Sequence, residues 1–237
     1  MSVEIVCQSV ADAGNAREGG ADRIELCSAL ALGGLTPTVG LLTAVRNAVP
    51  LPIMAMIRPR PGGFVYSSDE LDQMATDARL LRENGADGLV FGCLTESRTL
   101  DVDACRRLRD LAGDGETVFH RAFDGVLDPI AALERLIELG ITRLLTSGSK
   151  PTAAEGIPLL RTLVERAADR IEILPGGGIR AHNARLILEA TGATQLHLAP
   201  LTPISETFPF EVGTQTVIDP DAVRAVAALL KDVVPPA

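Results

Sequence analysis

At 237 residues, 46% hydrophobic and 22% charged, the chain can bury one large core and shows no disordered or fibrous bias. Its 22 basic against 31 acidic residues give a net charge of −9, which argues against an extended surface for nucleic acid or an acidic membrane. A small anion held by a few local cations remains compatible with that charge.

No apolar run approaches the roughly 18 to 20 residues that span a bilayer, and the first residues lack the charged-then-apolar order of a signal peptide. A cytoplasmic protein is expected. Cys7, Cys27, Cys93 and Cys105 are too few and too scattered for a disulfide framework and are read as buried thiols in a reducing compartment.

In chain order, short apolar runs alternate with longer stretches whose apolar positions fall three and four apart. The runs are Val3 to Cys7, Arg23 to Cys27, Ile53 to Ile57, Gly88 to Phe91, Thr117 to His120, Arg143 to Leu145, Ile171 to Leu174 and Gln195 to His197. The helical stretches between them are Asp12 to Glu18, Thr38 to Asn47, Asp69 to Asn84, Asp101 to Leu111, Pro129 to Leu139, Ala153 to Arg166 and Ala181 to Ala190, and a last helix covers about 219–233. Glycine follows helix after helix just before a strand, at Gly19-Gly20, Gly85, Gly140 and Gly192, where it supplies a left-handed cap. Recurring βα units without a composition break predict a single α/β domain over 1–237, an eight-stranded parallel (β/α)8 TIM barrel. A doubly wound open sheet is the alternative.

In a barrel the loops after the strands gather on one face and hold the chemistry. Val118 to Asp124 runs from an apolar strand directly into His120, Arg121 and Asp124, polarity that a core rejects and a cavity accepts. The blander alternative has His120 closing a strand, Arg121 paired with a surface acid, and Asp128-Pro129 capping the next helix. Alternation along the strands turns Glu25 and Cys27 inward together, groups Met54 and Met56 with Arg58, and groups Gln195 with His197. Glu4 shares a face with Val6, is read as part of a structural polar layer, and leaves Cys7 on the other face. Gly176, Gly177 and Gly178 after the seventh strand, with Ser147 beside them, have the make-up of a loop that turns backbone N–H groups toward an anion. Ser147 can equally be a helix cap.

Ala21 to Cys27, Gly33 to Pro37, Met56 to Arg60, Phe119 to Asp124 and Leu145 to Gly148 together resemble the CutC family of copper homeostasis proteins, over roughly Val3 to His197. The resemblance implies a cytosolic barrel that forms homo-oligomers, a dimer or a tetramer, with a role in handling Cu(I). It also implies metal ligation by cysteines near the ends of the first two strands, here Cys7 and Cys27.

Several positions depart from the family pattern. Members often place the strand-one cysteine where Val6 stands, and a one-residue shift turns Cys7 to the opposite face. Leu32 and Gly63 replace loop acids, and Ala199 replaces a serine. Two readings follow. One is copper homeostasis through Cu(I) binding at Cys27 and Cys7, with a thioether of Met54 or Met56 as the alternative to the shifted Cys7 and core filling as the usual role of such methionines. The other is an enzyme acting on a small phosphorylated or carboxylated metabolite by acid–base chemistry. Its catalytic candidates are Glu25, Arg58, His120, Asp124 and His197, with Arg58 and His120 facing the Gly176 to Gly178 backbone across an anion pocket.

Overall fold

The structure is a computed structural model that describes residues 1–204 and 213–232. Eight strands carry the fold: β1 (Ser2–Cys7), β2 (Arg23–Leu26), β3 (Ile53–Met56), β4 (Gly88–Phe91), β5 (Glu116–Phe119), β6 (Arg143–Thr146), β7 (Glu172–Pro175) and β8 (Gln195–Leu198). Strands β1 to β7 pair in parallel with their sequence neighbours, and β1 pairs in parallel with β8. A single parallel bridge between Gly176 and His197 links β7 to β8, so the sheet is a nearly closed barrel. An open doubly wound sheet would not bring its first strand against its last.

Helices α1 (Val10–Gly19), α2 (Val39–Ala48), α3 (Ser68–Glu83), α4 (Val102–Ala112), α5 (Pro129–Glu138), α6 (Ile157–Ala167), α7 (Ala181–Thr191) and α8 (Pro220–Asp232) follow the strands in order. The sequence marks where they start. Thr38, Asp101 and Asp128 cap three of them, and Ser67 with Glu70 forms a capping box. The helix-ending glycines Gly20, Gly85, Gly140 and Gly192 all take positive φ, which confirms the left-handed turn expected at each. Helix α6 starts at Ile157 rather than at Ala153. The approach of Gly156 to Ser147 explains this, since a Cβ on Gly156 would lie 1.8 Å from the Ser147 carbonyl oxygen. A closing hairpin of β9 (Leu201–Pro203) and β10 (Thr216–Ile218) was not foreseen; it docks on α1 through Asn15 Nδ2 to Ile218 O at 2.8 Å. Val233, the expected end of the last helix, lies outside the described residues.

Alternation divides the core in two. Ile5, Cys7, Ile24, Leu26 and Phe91 pack under the helices, whereas Val6, Cys27, Met54, Met56, Val90, Val118, Leu145 and Leu174 fill the barrel. Toward the amino ends of the strands the filling turns polar. Arg23 donates to Glu4 at 2.5 Å and to Gln195, and Arg143 binds Glu116 and Glu172 at 2.6 Å each. That layer seals one end, so the other end holds the site.

Candidate functional site at the barrel mouth

At the carboxyl ends of the strands lies a cavity of about 190 Å³, with Val6, Leu30, Met56, Phe64 and Leu145 as apolar walls and Glu25, Arg58, His120, Arg121 and His197 as polar ones. By volume it holds about six waters at ~30 Å³ each, the scale of a small metabolite. A larger surface cleft of about 390 Å³ runs beside α1 and α8. Two of its charged side chains already have partners, Asp22 from the Val3 N–H and Arg224 from Glu18 and Asp221, and none of its lining residues carries a buried side-chain atom without a partner, so size does not mark the functional site. Unmet hydrogen-bonding capacity does. Among the described residues five buried side-chain atoms lack any partner, and three of them, Glu25 Oε2, Arg58 Nε and His120 Nε2, belong to residues lining this one cavity.

His120 closes β5 and caps a 3₁₀ turn, Arg121–Gly125, by accepting the Ala122 N–H at Nδ1, 3.2 Å away. An Nδ1 that accepts puts the ring proton on Nε2. Burial, reinforced by the positive Arg58, drives its pKa down to about 3, so the ring is neutral at physiological pH and presents an N–H donor. Its ring lies 4.9 Å from that of Phe64. Gly92 makes room for it, since a Cβ there would lie 2.4 Å from Nδ1.

Arg58 behaves differently from the sequence expectation. Its two terminal nitrogens donate to the carbonyls of Gly33 at 2.9 Å, Gly34 at 3.2 Å and Gly62 at 2.8 Å, with Leu32 more distant at 3.4 Å. The guanidinium therefore ties the β2 and β3 loops together, and Nε is its one nitrogen without a partner. It can serve one oxygen rather than clamp an anion with its whole fork.

Across the cavity, Glu25 accepts the Cys27 thiol proton at Oε1, 3.3 Å away, and has no partner at Oε2. Burial raises its pKa, helped by the charge of Glu4 and opposed by His197. His197 Nδ1 stands 2.8 Å from Glu4 Oε1, an oxygen–imidazole pair that follows from adjacent β1 and β8 registering Glu4 with His197. Burial would raise Glu4, but the His197 hydrogen bond and the Arg23 charge outweigh it and hold the carboxyl at about 2. His197 is pushed up: burial opposes this, and the Glu25 and Glu4 carboxylates overcome it. Glu4 is thus both part of the polar layer that the sequence indicates and the partner of His197, a link signalled by their register on adjacent strands.

The remaining candidates fall elsewhere. Asp124 accepts from Thr146 Oγ1 at 2.5 Å, Ser149 N at 3.1 Å, Arg121 Nε at 2.7 Å and both the N–H and hydroxyl of Ser147. So engaged, it anchors the β6 loop and does not line the cavity. Ser147 likewise spends its hydroxyl on Asp124 and the Lys150 carbonyl. Gly176, Gly177 and Gly178 also stand outside the lining, with Gly176 packed so closely that a Cβ there would lie 2.6 Å from Leu145 Cδ1 and 3.3 Å from His197 Cβ. The four thiols are free and buried; Cys27 faces into the barrel, while Cys7 packs on the helix side. Burial raises the pKa of both, and the two residues meet through the Cys27 N–H, which donates to the Cys7 carbonyl at 2.9 Å, with their side chains on opposite faces of the barrel wall.

The CutC family profile matches residues 1–202. The chain belongs to the CutC family. Within it, the chain is 50% identical over 195 residues to the human copper homeostasis protein cutC homolog, covering 82% of this chain and 71% of that one. It is 52% identical over 201 residues to a family protein CutC of Treponema denticola, covering 85% and 82%. The crystal structure of a copper homeostasis protein CutC from Streptococcus agalactiae superposes with a TM-score of 0.79 at 35% identity, over 83% of this chain and 98% of that one. A phosphoribosylanthranilate isomerase from Thermotoga maritima, at 14% identity and a TM-score of 0.61, shares the fold alone. The family profile ends within β9, so β10 and α8 lie beyond it.

Proposed function

We propose that this CutC-family chain is an enzyme that acts on a small carboxylated or carbonyl-bearing metabolite by acid–base chemistry at the barrel mouth. The observation that carries the reading is the set of three buried, unpartnered atoms on one cavity: Glu25 Oε2, Arg58 Nε and His120 Nε2. Leaving such groups unsatisfied costs about 1 to 3 kcal/mol each, and a bound oxygen-rich ligand answers that cost. His120 Nε2–H and Arg58 Nε–H are two donors suited to one carbonyl or carboxylate oxygen, where negative charge can develop. Glu25, its pKa raised by burial, is the proton-transfer group, and the Glu4–His197 pair sets its electrostatic surroundings. The partner class is thus a small anion or polar metabolite, bound by a cytoplasmic homo-oligomer.

Thermal unfolding with glycolate or pyruvate against a chloride control at matched ionic strength tests the site. The wild type is expected to melt higher with at least one of these probes, and His120→Gln to lose the difference. An equal response in the two proteins sinks the reading.

A second reading has its own support. The human and Streptococcus relatives are named for copper homeostasis, and Cys27 shares the barrel interior with Met54 and Met56, a soft set suited to Cu(I). Competition against a Cu(I) chelator decides it: binding that depends on Cys27 favours this role, and binding indifferent to Cys27→Ala removes it.

A further inference from the structure

Outside the three orphaned atoms, the densest gathering of ligating groups lies deeper in the barrel. Ligand atoms of Glu4, Glu25 and His197 all lie within 4.8 Å of one another, and no other group of three His, Cys, Asp or Glu side chains meets that test among the described residues. We infer that this cluster is a site for a divalent transition cation such as Zn²⁺, held by Glu25 Oε2 and His197 Nε2 and steadied by Glu4.

Each residue has a distinct part. Glu25 is 4% exposed and carries the unpartnered Oε2, a buried oxygen that no group of the protein satisfies. His197 makes its one side-chain bond through Nδ1, to Glu4 Oε1 at 2.8 Å, which leaves the Nε2 lone pair on the cavity side. Glu4 is itself fixed from the other side by Arg23 at 2.5 Å, so it orients the imidazole rather than binding the ion. A carboxylate that holds the far nitrogen of a ligating histidine is the usual support of such sites. Zinc takes oxygen and nitrogen donors at about 2.0 to 2.2 Å, which puts donors about 3.4 Å apart, so a cluster whose ligand atoms lie within 4.8 Å of one another draws in to hold the ion. Two protein ligands leave the remaining positions open to water in the adjoining cavity, one fewer protein ligand than catalytic zinc sites usually have. The donors are oxygen and imidazole nitrogen, which suit Zn²⁺ or Mn²⁺ and not the thiol-seeking Cu(I).

The inference deepens the active-site reading at its Glu25 wall, and with the cation bound the proton-transfer role passes from Glu25 to water at the open position. Cation binding itself does not require that reading to hold. The test is calorimetric titration of the chelator-treated full chain with Zn²⁺, paired with the absorption spectrum of its Co²⁺ form. One ion per chain is expected, weakened at least about ten-fold by Glu25→Gln and by His197→Gln, about ten- to a hundred-fold by Glu4→Gln, and unchanged in Cys93→Ala, whose thiol lies on the helix side of the barrel wall. The Co²⁺ spectrum should show no thiolate charge-transfer band, a result that stands even where a variant fails to fold. Absent stoichiometric binding, binding that survives Glu25→Gln in a folded protein, or a thiolate band would overturn the assignment. A glycolate response that persists in chelator would then leave the active-site reading standing without the cation.

Discussion

His120 is the residue whose state decides what the mouth can do. Its pKa falls from the ordinary 6.5 to about 3 through burial and the nearby Arg58 charge, while Asp124 pulls weakly the other way. An unfolded chain takes up a proton near pH 6.5 that the folded chain refuses until about pH 3. Stability from this group is therefore complete above about pH 6.5 and lost as pH falls toward 3, at up to about 1.4 kcal/mol per pH unit. Denaturant midpoints between pH 4 and 7 should steepen accordingly, and His120→Gln should flatten the part due to this ring. An unchanged slope in that variant would mean that the ring is protonated in the fold. Gly92 is the second residue on which the site turns. Alanine there sets a Cβ 2.4 Å from His120 Nδ1 and 2.8 Å from the Ala122 Cβ, so Gly92→Ala should cost about 1 to 3 kcal/mol and abolish the glycolate response. Calorimetric melting and the probe titration check both effects.

Among the elements, the strands were readable because their alternation is strict. Glu25 and Cys27, Met54 and Met56, and Gln195 and His197 face inward as the two-residue period requires, and Cys7 faces the helices as its one-step shift requires. The loops were less readable. That Arg58 would give its terminal nitrogens to Gly33, Gly34 and Gly62, and that Asp124 would be consumed by the β6 loop, depends on backbone carbonyls and N–H groups that carry no sequence signal. Glu4 was visible as an inward acid, but its partner stands 193 positions away and is found only when β8 closes on β1. The same closure makes the polar layer between β1, β2 and β8 a unit. Removing Arg23 strips a buried charge partner from Glu4, which is fully buried, so Arg23→Met should destabilise by about 3 to 5 kcal/mol. Chemical denaturation measures this, and a loss under about 1 kcal/mol would show the layer to be dispensable.

For the molecule as a whole, the barrel has one end sealed by ion pairs and one end left with unmet polar atoms. That asymmetry, more than any single motif, points to where function resides. Its sulfur chemistry is dispersed: Cys7 lies outside the barrel wall and Cys27 inside it. Cys7→Ser is accordingly expected to leave any Cu(I) affinity unchanged, and a loss of affinity in a chelator competition would show that the two thiols act together. The central claim concerns the mouth, and the most direct measurement is a crystal structure of the wild-type chain soaked with glycolate. The account predicts the carboxylate or hydroxyl oxygen within hydrogen-bond distance of His120 Nε2 and Arg58 Nε, with Glu25 facing the ligand from across the cavity. A mouth that stays closed around its own side chains, or a ligand seated instead on the Gly176 to Gly178 backbone, would contradict it.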